Sequence, residues 1–304
     1  MYALWGIPTV LPRIPPTVYL LSSILQIRSA SRGVAACYDL MTGPLERCIP
    51  LLKAVLFDLD GTLLDIDLDA FLREYFMALG PVVAEVLGHG DPRDGLSVVI
   101  AGTEAMSLPH PGLTNREAFN ACFHRLTEAD LDLEEYALPF ERFYRDVFPS
   151  LRKDFVPAAG ARRAVEVALE LGLEVAIATN PIFPRSAVDE RIRWAGIDDL
   201  EVNVVTTYEN MHATKPHSGY FVETAEMLGV EPASCLMVGD DRTLDMPAAD
   251  VGMRTFYVGG DAGVPADWSG TLEDLADLLP RLTQNDQSFL GRMNATHAPS
   301  ERWS

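Results

Sequence analysis

The stretch that most constrains this chain is a short apolar run that ends in two carboxylates, within residues 53–65. Residues 54–57 are apolar, a pattern typical of a buried β-strand. Asp58 and Asp60 follow it directly, and Gly61 then allows a sharp turn. The first carboxylate could attack an electrophile, the second could donate and accept a proton, and both could bind a divalent cation. A strand followed by an acidic turn is also common without such chemistry, so the pair alone does not establish a function.

Residues 66–156 carry a mainly helical pattern. Apolar residues at positions 71, 75 and 79 recur with helical spacing, and Gly80 is predicted to end that helix. Thr114 and Glu117 predict a capping box at the start of a later helix. The pattern therefore predicts a helical insertion directly after the first strand.

From residue 157 onward, short apolar strands alternate with helices. The predicted strands are residues 175–178, 202–205, 235–238 and 255–258, and a last helix is predicted from Leu272 to about Leu279, ended by Pro280. This alternation predicts an α/β fold with a doubly wound parallel sheet and right-handed crossovers. Ligands of such sheets bind beyond the carboxyl ends of the strands.

Polar residues follow two of these strands at or near their carboxyl ends. Thr179 and Asn180 follow the second strand, where a hydroxyl group and the amides of a turn can hold phosphoryl oxygens. Lys215, followed by Pro216, lies between the third strand and the next helix. A lone lysine in a loop is more often solvated surface than a ligand.

Three carboxylates follow the fourth predicted strand, at Asp240, Asp241 and Asp245. The dipole of a helix favours acidic residues at its N-terminus, which would explain one or two of these residues. It does not readily explain all three after a buried strand. Which of Asp240, Asp241 and Asp245 would bind a cation is left open by their spacing alone.

The four stretches, in this order, resemble the four motifs of the haloacid dehalogenase-like superfamily, whose members are mostly magnesium-dependent phosphotransferases. Asp58-Leu59-Asp60-Gly61-Thr62-Leu63 is similar to the first motif, and the resemblance covers about residues 53–260. It implies a Rossmann-like core with the helical insertion as a C1 cap that closes over the active site. The implied catalytic residues are Asp58, Asp60, Thr179 and Lys215, the implied phosphate ligands are Thr179, Asn180 and Lys215, and the implied magnesium ligands are Asp58, Asp60, Asp240 and Asp245.

The resemblance implies a phosphatase that hydrolyses a small phosphomonoester, with Asp58 as nucleophile and Asp60 as acid and base. A 2-haloacid dehalogenase is an alternative, but it needs no metal and lacks the second aspartate. A phosphosugar mutase could use the same four motifs. A non-catalytic regulatory protein with this fold would be expected to lack one of the motif residues, and none is missing here.

Composition limits the partners and the compartment. The net charge of −20 argues against a nucleic-acid or anionic-membrane partner, but not against a small phosphorylated metabolite held by a bound cation. Cys37, Cys48, Cys122 and Cys235 have no metal-like spacing, which favours buried or incidental thiols in a reducing cytoplasm.

The oligomeric state and the identity of the substrate are left open. Polar insertion residues that could contact a substrate are His89, Arg93, His110, Arg116, Arg125, Arg142, Arg145 and Lys153, and no single one stands out.

The predicted domain organisation has four parts. Residues 51–65 and 157–283 form the catalytic core, 66–156 form the cap, and 284–304 form a flexible tail. Residues 1–50 are predicted to be a disordered extension or a product of an earlier start codon, with Met41 as the true start. A secretory signal is the alternative, but Arg28 and Arg32 lie where a signal peptide should carry no charge.

Overall fold

The computed structural model describes residues 50–88, 91–260, 263 and 265–284. In chain order the elements are β1 (Ala54–Phe57), β2 (Leu64–Asp65), α1 (Leu68–Val86), α2 (Pro92–Ser107), α3 (Asn115–Thr127), α4 (Glu134–Arg142), β3 (Val156–Pro157), α5 (Ala161–Glu170), β4 (Glu174–Ile177), α6 (Arg185–Trp194), β5 (Val204–Val205), α7 (Ser218–Met227), β6 (Cys235–Gly239), β7 (Arg254–Val258), β8 (Trp268–Gly270) and α8 (Leu272–Leu282). A π-helical turn at Phe143–Val147 and short 3-10 helices at Phe148–Leu151, Pro232–Ser234 and Met246–Val251 complete the described elements.

The central layer is a parallel sheet with the strand order β5-β4-β1-β6-β7-β8. Alternate side chains of β1 enter two separate cores. Val55 and Phe57 face a core that contains α5, α6 and α8, whereas Ala54 and Leu56 face a core that contains α7. Helices on both faces of a parallel sheet confirm the predicted doubly wound α/β fold.

The helical insertion leaves the core through a two-stranded ribbon. β2 and β3 pair antiparallel, with Leu64 opposite Pro157 and Asp65 opposite Val156. Helices α1 to α4 lie between these two strands along the chain, as predicted. The capping box of Thr114 is present at the start of α3.

Aromatic side chains join the insertion to the core. Phe71 of α1 packs edge-on against Trp194 of α6, with 6.2 Å between ring centroids. Phe148 stacks on the same indole at 5.6 Å. Buried aromatic pairs of this geometry contribute beyond their area of contact, so α1 and α6 are held together on one side of the sheet end.

Two predicted helix ends are wrong. α1 continues through Gly80 to Val86, because Val83 and Val86 extend the buried stripe of Phe71, Tyr75 and Leu79. α8 likewise contains Pro280 and continues to Leu282, which is buried in the same core as Leu279. In both helices the burial of apolar side chains outweighs the low helix propensity of one residue.

Other local predictions fall short of the structure. β5 contains only Val204 and Val205 of the predicted residues 202–205. The helix α2, the ribbon β2–β3 and the edge strand β8 were not predicted. These elements are short or lack a clear apolar period in the sequence, so their formation depends on partners elsewhere in the chain.

Several predictions lie outside the described residues. They concern residues 1–49 and 285–304, including the proposed start at Met41 and the thiols of Cys37 and Cys48. Cys122 and Cys235 are buried free thiols. Within the described part of the chain, no helix is long and apolar enough to cross a membrane.

Candidate active site

The predicted site residues meet at the carboxyl edge of the sheet. β1 lies between β4 and β6, so Asp58, Thr179 and Asp240 extend from neighbouring strands. Lys215 reaches the same place from the loop between β5 and α7. Residues far apart in the sequence are thus brought together by the strand order, as expected for a doubly wound sheet.

Lys215 is the buried cation at the centre of this group. Its Nζ donates to Asp58 Oδ1 at 2.8 Å and to Asp245 Oδ1 at 2.6 Å, and its side chain is 1% exposed. Burial opposes the charge on Lys215, but the charges of Asp245 and Asp58 outweigh it and raise its pKa. The lysine is therefore an ammonium group aimed at the first carboxylate of the β1 strand end.

Asp58, Asp240 and Asp245 form a candidate metal site. One carboxylate oxygen from each lies within 4.8 Å of the others. Burial, with a contribution from the Asp58 charge, raises the pKa of Asp240 to about 6, and burial also raises the pKa of Asp245. Clustered carboxylate oxygens with too little positive charge nearby match the ligands that a hard divalent cation takes in proteins.

The carboxylates of Asp240 and Asp241 make different contacts. Asp240 Oδ1 accepts a hydrogen bond from the Thr62 hydroxyl at 3.1 Å, and its carboxylate belongs to the acidic group. Asp241 Oδ1 instead accepts from the backbone amides of Thr243 and Leu244, at 2.7 and 3.0 Å. Asp241 therefore caps the following turn, and Asp240 faces the site.

Two glycines make room for these carboxylates. Gly61 has a φ of 88°, and a Cβ there would overlap the Asp240 carboxylate. A Cβ at Gly239 would overlap the carboxylate of Asp245. The glycine that follows the first carboxylate pair and the glycine that precedes Asp240 are therefore required by close approach at the site, and not only by the turns.

Asp60 has a partner that the sequence did not suggest. Its Oδ2 accepts a hydrogen bond from Nη1 of Arg191, a residue of α6 that is 1% exposed. Asp60 Oδ1 and Arg191 Nη2 are both buried without a hydrogen-bond partner. Burial raises the pKa of Asp60 and the Asp58 charge adds to this, whereas Arg191 and Lys215 oppose the rise.

The sequence contains one signal from which Arg191 could have been identified as a site residue. It lies three residues after Val188 and four after Ala187, on the face of α6 that packs into the core. A charge on an otherwise apolar helix face points to a buried partner. Its guanidinium also lies 4.5 Å from the ring centroid of Phe183, a cation–π contact that fixes it beside the site.

Thr179 and Asn180 lie beside this group, with different contacts. Thr179 is buried, and its backbone carbonyl accepts hydrogen bonds from Thr206 Oγ1 at 2.7 Å and from the Tyr220 hydroxyl at 3.0 Å. Asn180 Oδ1 accepts from the backbone amide of Lys215 at 3.2 Å. Asn180 thus joins the loop after β4 to the loop that carries Lys215, in addition to lining the pocket.

These residues line a pocket of about 200 Å³. The polar residues that line it are Asp58, Asp60, Thr179, Asn180, Arg191, Lys215, Asp240, Asp241 and Asp245. None of the eight polar insertion residues singled out above is among the described residues that line it, and His89 lies outside the described part. The insertion contributes apolar residues instead.

The chain is similar to known proteins over most of its length. Residues 52–251 match the sequence profile of haloacid dehalogenase-like hydrolases. The phosphoglycolate phosphatase of Pseudomonas savastanoi pv. phaseolicola is 25% identical over 267 residues, 83% of this chain and 87% of that protein. The phosphoglycolate phosphatase of Neisseria gonorrhoeae is 28% identical over 252 residues, 80% of this chain and 97% of that protein.

Similarity to solved structures supports the fold. The structure of a 2-haloacid dehalogenase from Pseudomonas syringae pv. tomato superposes with a TM-score of 0.50 at 21% identity, covering 76% of this chain and 99% of that chain. At this level of identity the likeness concerns the architecture alone.

Proposed function

The chain belongs to the haloacid dehalogenase-like hydrolase family, and we propose that it is a magnesium-dependent phosphatase that hydrolyses a small phosphomonoester through an aspartyl-phosphate. The observation that carries the proposal is the different surroundings of the two carboxylates that follow β1. Asp58 contacts the Lys215 ammonium and lies within the acidic group, whereas Asp60 pairs with Arg191 and has a raised pKa. Neighbouring carboxylates in different environments suit one nucleophile and one acid–base group.

The site residues fit a divalent metal ion. Asp58, Asp240 and Asp245 would hold it, together with the backbone carbonyl of Asp60. Among the described residues, the four carboxylates Asp58, Asp60, Asp240 and Asp245 are paired with two buried cations, Lys215 and Arg191, so negative charge remains for a divalent ion to neutralise. When bound, magnesium would polarise the phosphoryl group and reduce its repulsion from Asp58.

In the first half-reaction, a carboxylate oxygen of Asp58 attacks phosphorus and forms the new P–O bond. The bond from phosphorus to the alcohol oxygen breaks, and Asp60 donates its proton to that oxygen. Burial raises the pKa of Asp60, a shift in the direction that favours its protonated form and so suits it to this role. Lys215 and Thr179 would hold the phosphoryl oxygens during the transfer.

In the second half-reaction, Asp60 is the base. It accepts a proton from a water molecule whose oxygen attacks phosphorus, and inorganic phosphate leaves as Asp58 is regenerated. Hydrolysis thus restores the proton on Asp60 for the next turnover. The same residue serves as acid and then as base, which is why its surroundings matter to both steps.

We further propose a domain organisation, a compartment and a class of partner for the protein. Residues 51–65 and 157–283 would act as the catalytic core, and residues 66–156 as a cap that closes over the pocket. We also propose a cytoplasmic protein, in keeping with the two buried free thiols, with a small phosphorylated metabolite as its partner and no nucleic acid or membrane partner.

The test is phosphate release from a panel of phosphomonoesters, with magnesium and with a chelator. Asp58→Asn is expected to abolish turnover and to leave the melting temperature near that of the parent protein, because an amide has nearly the same shape but cannot attack phosphorus. Asp241→Asn is the matched control, since the amide oxygen can still cap the turn. Normal turnover by a folded Asp58→Asn variant would rule out the covalent mechanism.

A further inference from the structure

The pocket has one polar side and one apolar side. The apolar side chains in its described lining are those of Ile66, Leu68, Leu72, Ile182, Phe183 and Leu244. The first three come from the start of the insertion, and Ile182 and Phe183 from the loop before α6. A phosphoryl group bound at Asp58, with its ester oxygen beside Asp60, would leave the carbon atoms of the alcohol to contact this apolar side.

The described lining carries two cations, and carboxylates already engage both. Lys215 bonds to Asp58 and Asp245, and Arg191 bonds to Asp60. The second guanidinium nitrogen of Arg191 is buried without a hydrogen-bond partner, and the charge of the guanidinium is paired with that of Asp60. A further negative charge on the substrate would therefore find no unpaired cation here.

Three cations of the insertion are paired with carboxylates of the insertion itself. Arg116 bonds to Asp132 at 2.7 Å, Arg145 bonds to Asp146 at 2.8 Å, and Lys153 bonds to Glu74 at 2.7 Å. None of these three lines the pocket. The insertion thus offers the substrate side chains of aliphatic residues rather than an anion site.

We infer that the substrate is a phosphomonoester of a small, uncharged and largely apolar alcohol, and that esters carrying a second anionic group are poor substrates. This inference rests on the proposed function, because it assumes that the phosphoryl group binds at Asp58. A carboxylate placed against the apolar wall would lose its hydration without gaining a partner, whereas an alkyl group would leave water for apolar contact. The pocket thus differs in preference from what the names of its phosphoglycolate phosphatase relatives would suggest.

Isobutyl phosphate and phosphoglycolate form a matched pair of probes. They have nearly the same shape, and differ in that an isopropyl group replaces a carboxylate. With magnesium present, kcat/KM is expected to be at least 100-fold higher for isobutyl phosphate, a difference of about 2.7 kcal/mol in transition-state binding. An equal or higher kcat/KM for phosphoglycolate would overturn the inference.

A positive charge introduced among the apolar lining residues should weaken this preference. Leu72 is a half-buried residue of α1 in the apolar lining. Leu72→Arg is expected to raise the ratio of kcat/KM for phosphoglycolate over isobutyl phosphate at least 10-fold, whereas the neutral Leu72→Gln control should not. Leu244→Arg repeats the test from the opposite segment if Leu72→Arg fails to fold. An unchanged ratio in a folded arginine variant would contradict the inference.

Binding separates this inference from the proposed function. The full chain with Asp58→Asn and magnesium should bind isobutyl phosphate at least 10-fold more tightly than phosphoglycolate by isothermal titration calorimetry. That preference, found with no hydrolysis of either ester or of p-nitrophenyl phosphate by the parent protein, would refute the proposed function and leave only the binding preference of the pocket supported. Hydrolysis with a preference for phosphoglycolate would support the proposed function and overturn the inference.

Discussion

The ion pair between Arg191 and Asp60 predicts a large and pH-dependent loss of stability when the arginine is removed. Arg191→Met keeps an apolar side chain of similar length in the core but leaves the Asp60 carboxylate buried without its cation. Removing one partner of a buried ion pair typically costs about 3–5 kcal/mol. The remaining carboxyl can limit that cost by taking up a proton.

The cost of protonating Asp60 sets the magnitude of the stability loss in Arg191→Met. For an aspartate with an unfolded pKa of 3.8, protonation at pH 7 costs about 4 kcal/mol, and at pH 5 about 1.6 kcal/mol. Because the folded pKa of Asp60 is raised above the unfolded value, the folded state loses stability as the pH rises. The stability that Arg191→Met loses is therefore absent below pH 3.8 and grows above it. We expect Arg191→Met to lose about 3–4 kcal/mol at pH 7 and about 1–2 kcal/mol at pH 5.

Equilibrium unfolding in guanidinium chloride at the two pH values, with a chelator present, measures this loss. Arg193→Met is the matched control, because Arg193 lies on the same helix and its side chain, paired with Glu190, is 57% exposed. Exposed pairs contribute about 0–1 kcal/mol. A loss for Arg191→Met that equals the control, or that does not change between pH 5 and pH 7, would refute the role given to the buried pair.

Three further predictions concern the acid–base residue, a glycine and the amino terminus. Asp60→Asn should slow hydrolysis of alkyl phosphates by about 10²–10⁴-fold and that of p-nitrophenyl phosphate less, since a good leaving group needs little protonation; equal, near-normal rates with both would exclude Asp60 as the acid. Gly239→Ala should weaken magnesium binding in calorimetry by displacing the Asp245 carboxylate, while Gly219→Ala, where a Cβ has room, should bind magnesium normally. A protein that begins at Met41 should keep its melting temperature and activity, and a large loss of either would show that the preceding residues have a role.

Sequence periodicity was enough to predict the central strands of the sheet, because each of them is a short apolar run bounded by turn residues. β1, β4 and β6 are buried on both faces, so nearly every residue in them is apolar, and the polar residues that follow are conspicuous. Helices of suitable length between the strands then require parallel pairing. The candidate residues beyond the strand ends followed from this without any knowledge of side-chain contacts.

Helix ends were predicted less well because local propensity was the wrong guide. Gly80 and Pro280 are poor helix residues, yet each lies in a helix whose later residues are buried in the core. The free energy of burying Val83 or Leu282 depends on side chains elsewhere in the chain. A local pattern does not contain that information.

What the sequence determined by itself is the chemistry available at the end of each strand: two carboxylates after β1, a hydroxyl after β4, a lysine before α7 and further carboxylates after β6. Only the tertiary structure decided how these groups are paired. It placed Arg191 against Asp60, 131 residues away, and assigned Asp240 to the acidic group and Asp241 to a turn. The physical reason is that residue type and spacing define what a side chain can do, whereas burial and partners, which set its charge and orientation, arise from contacts between distant segments.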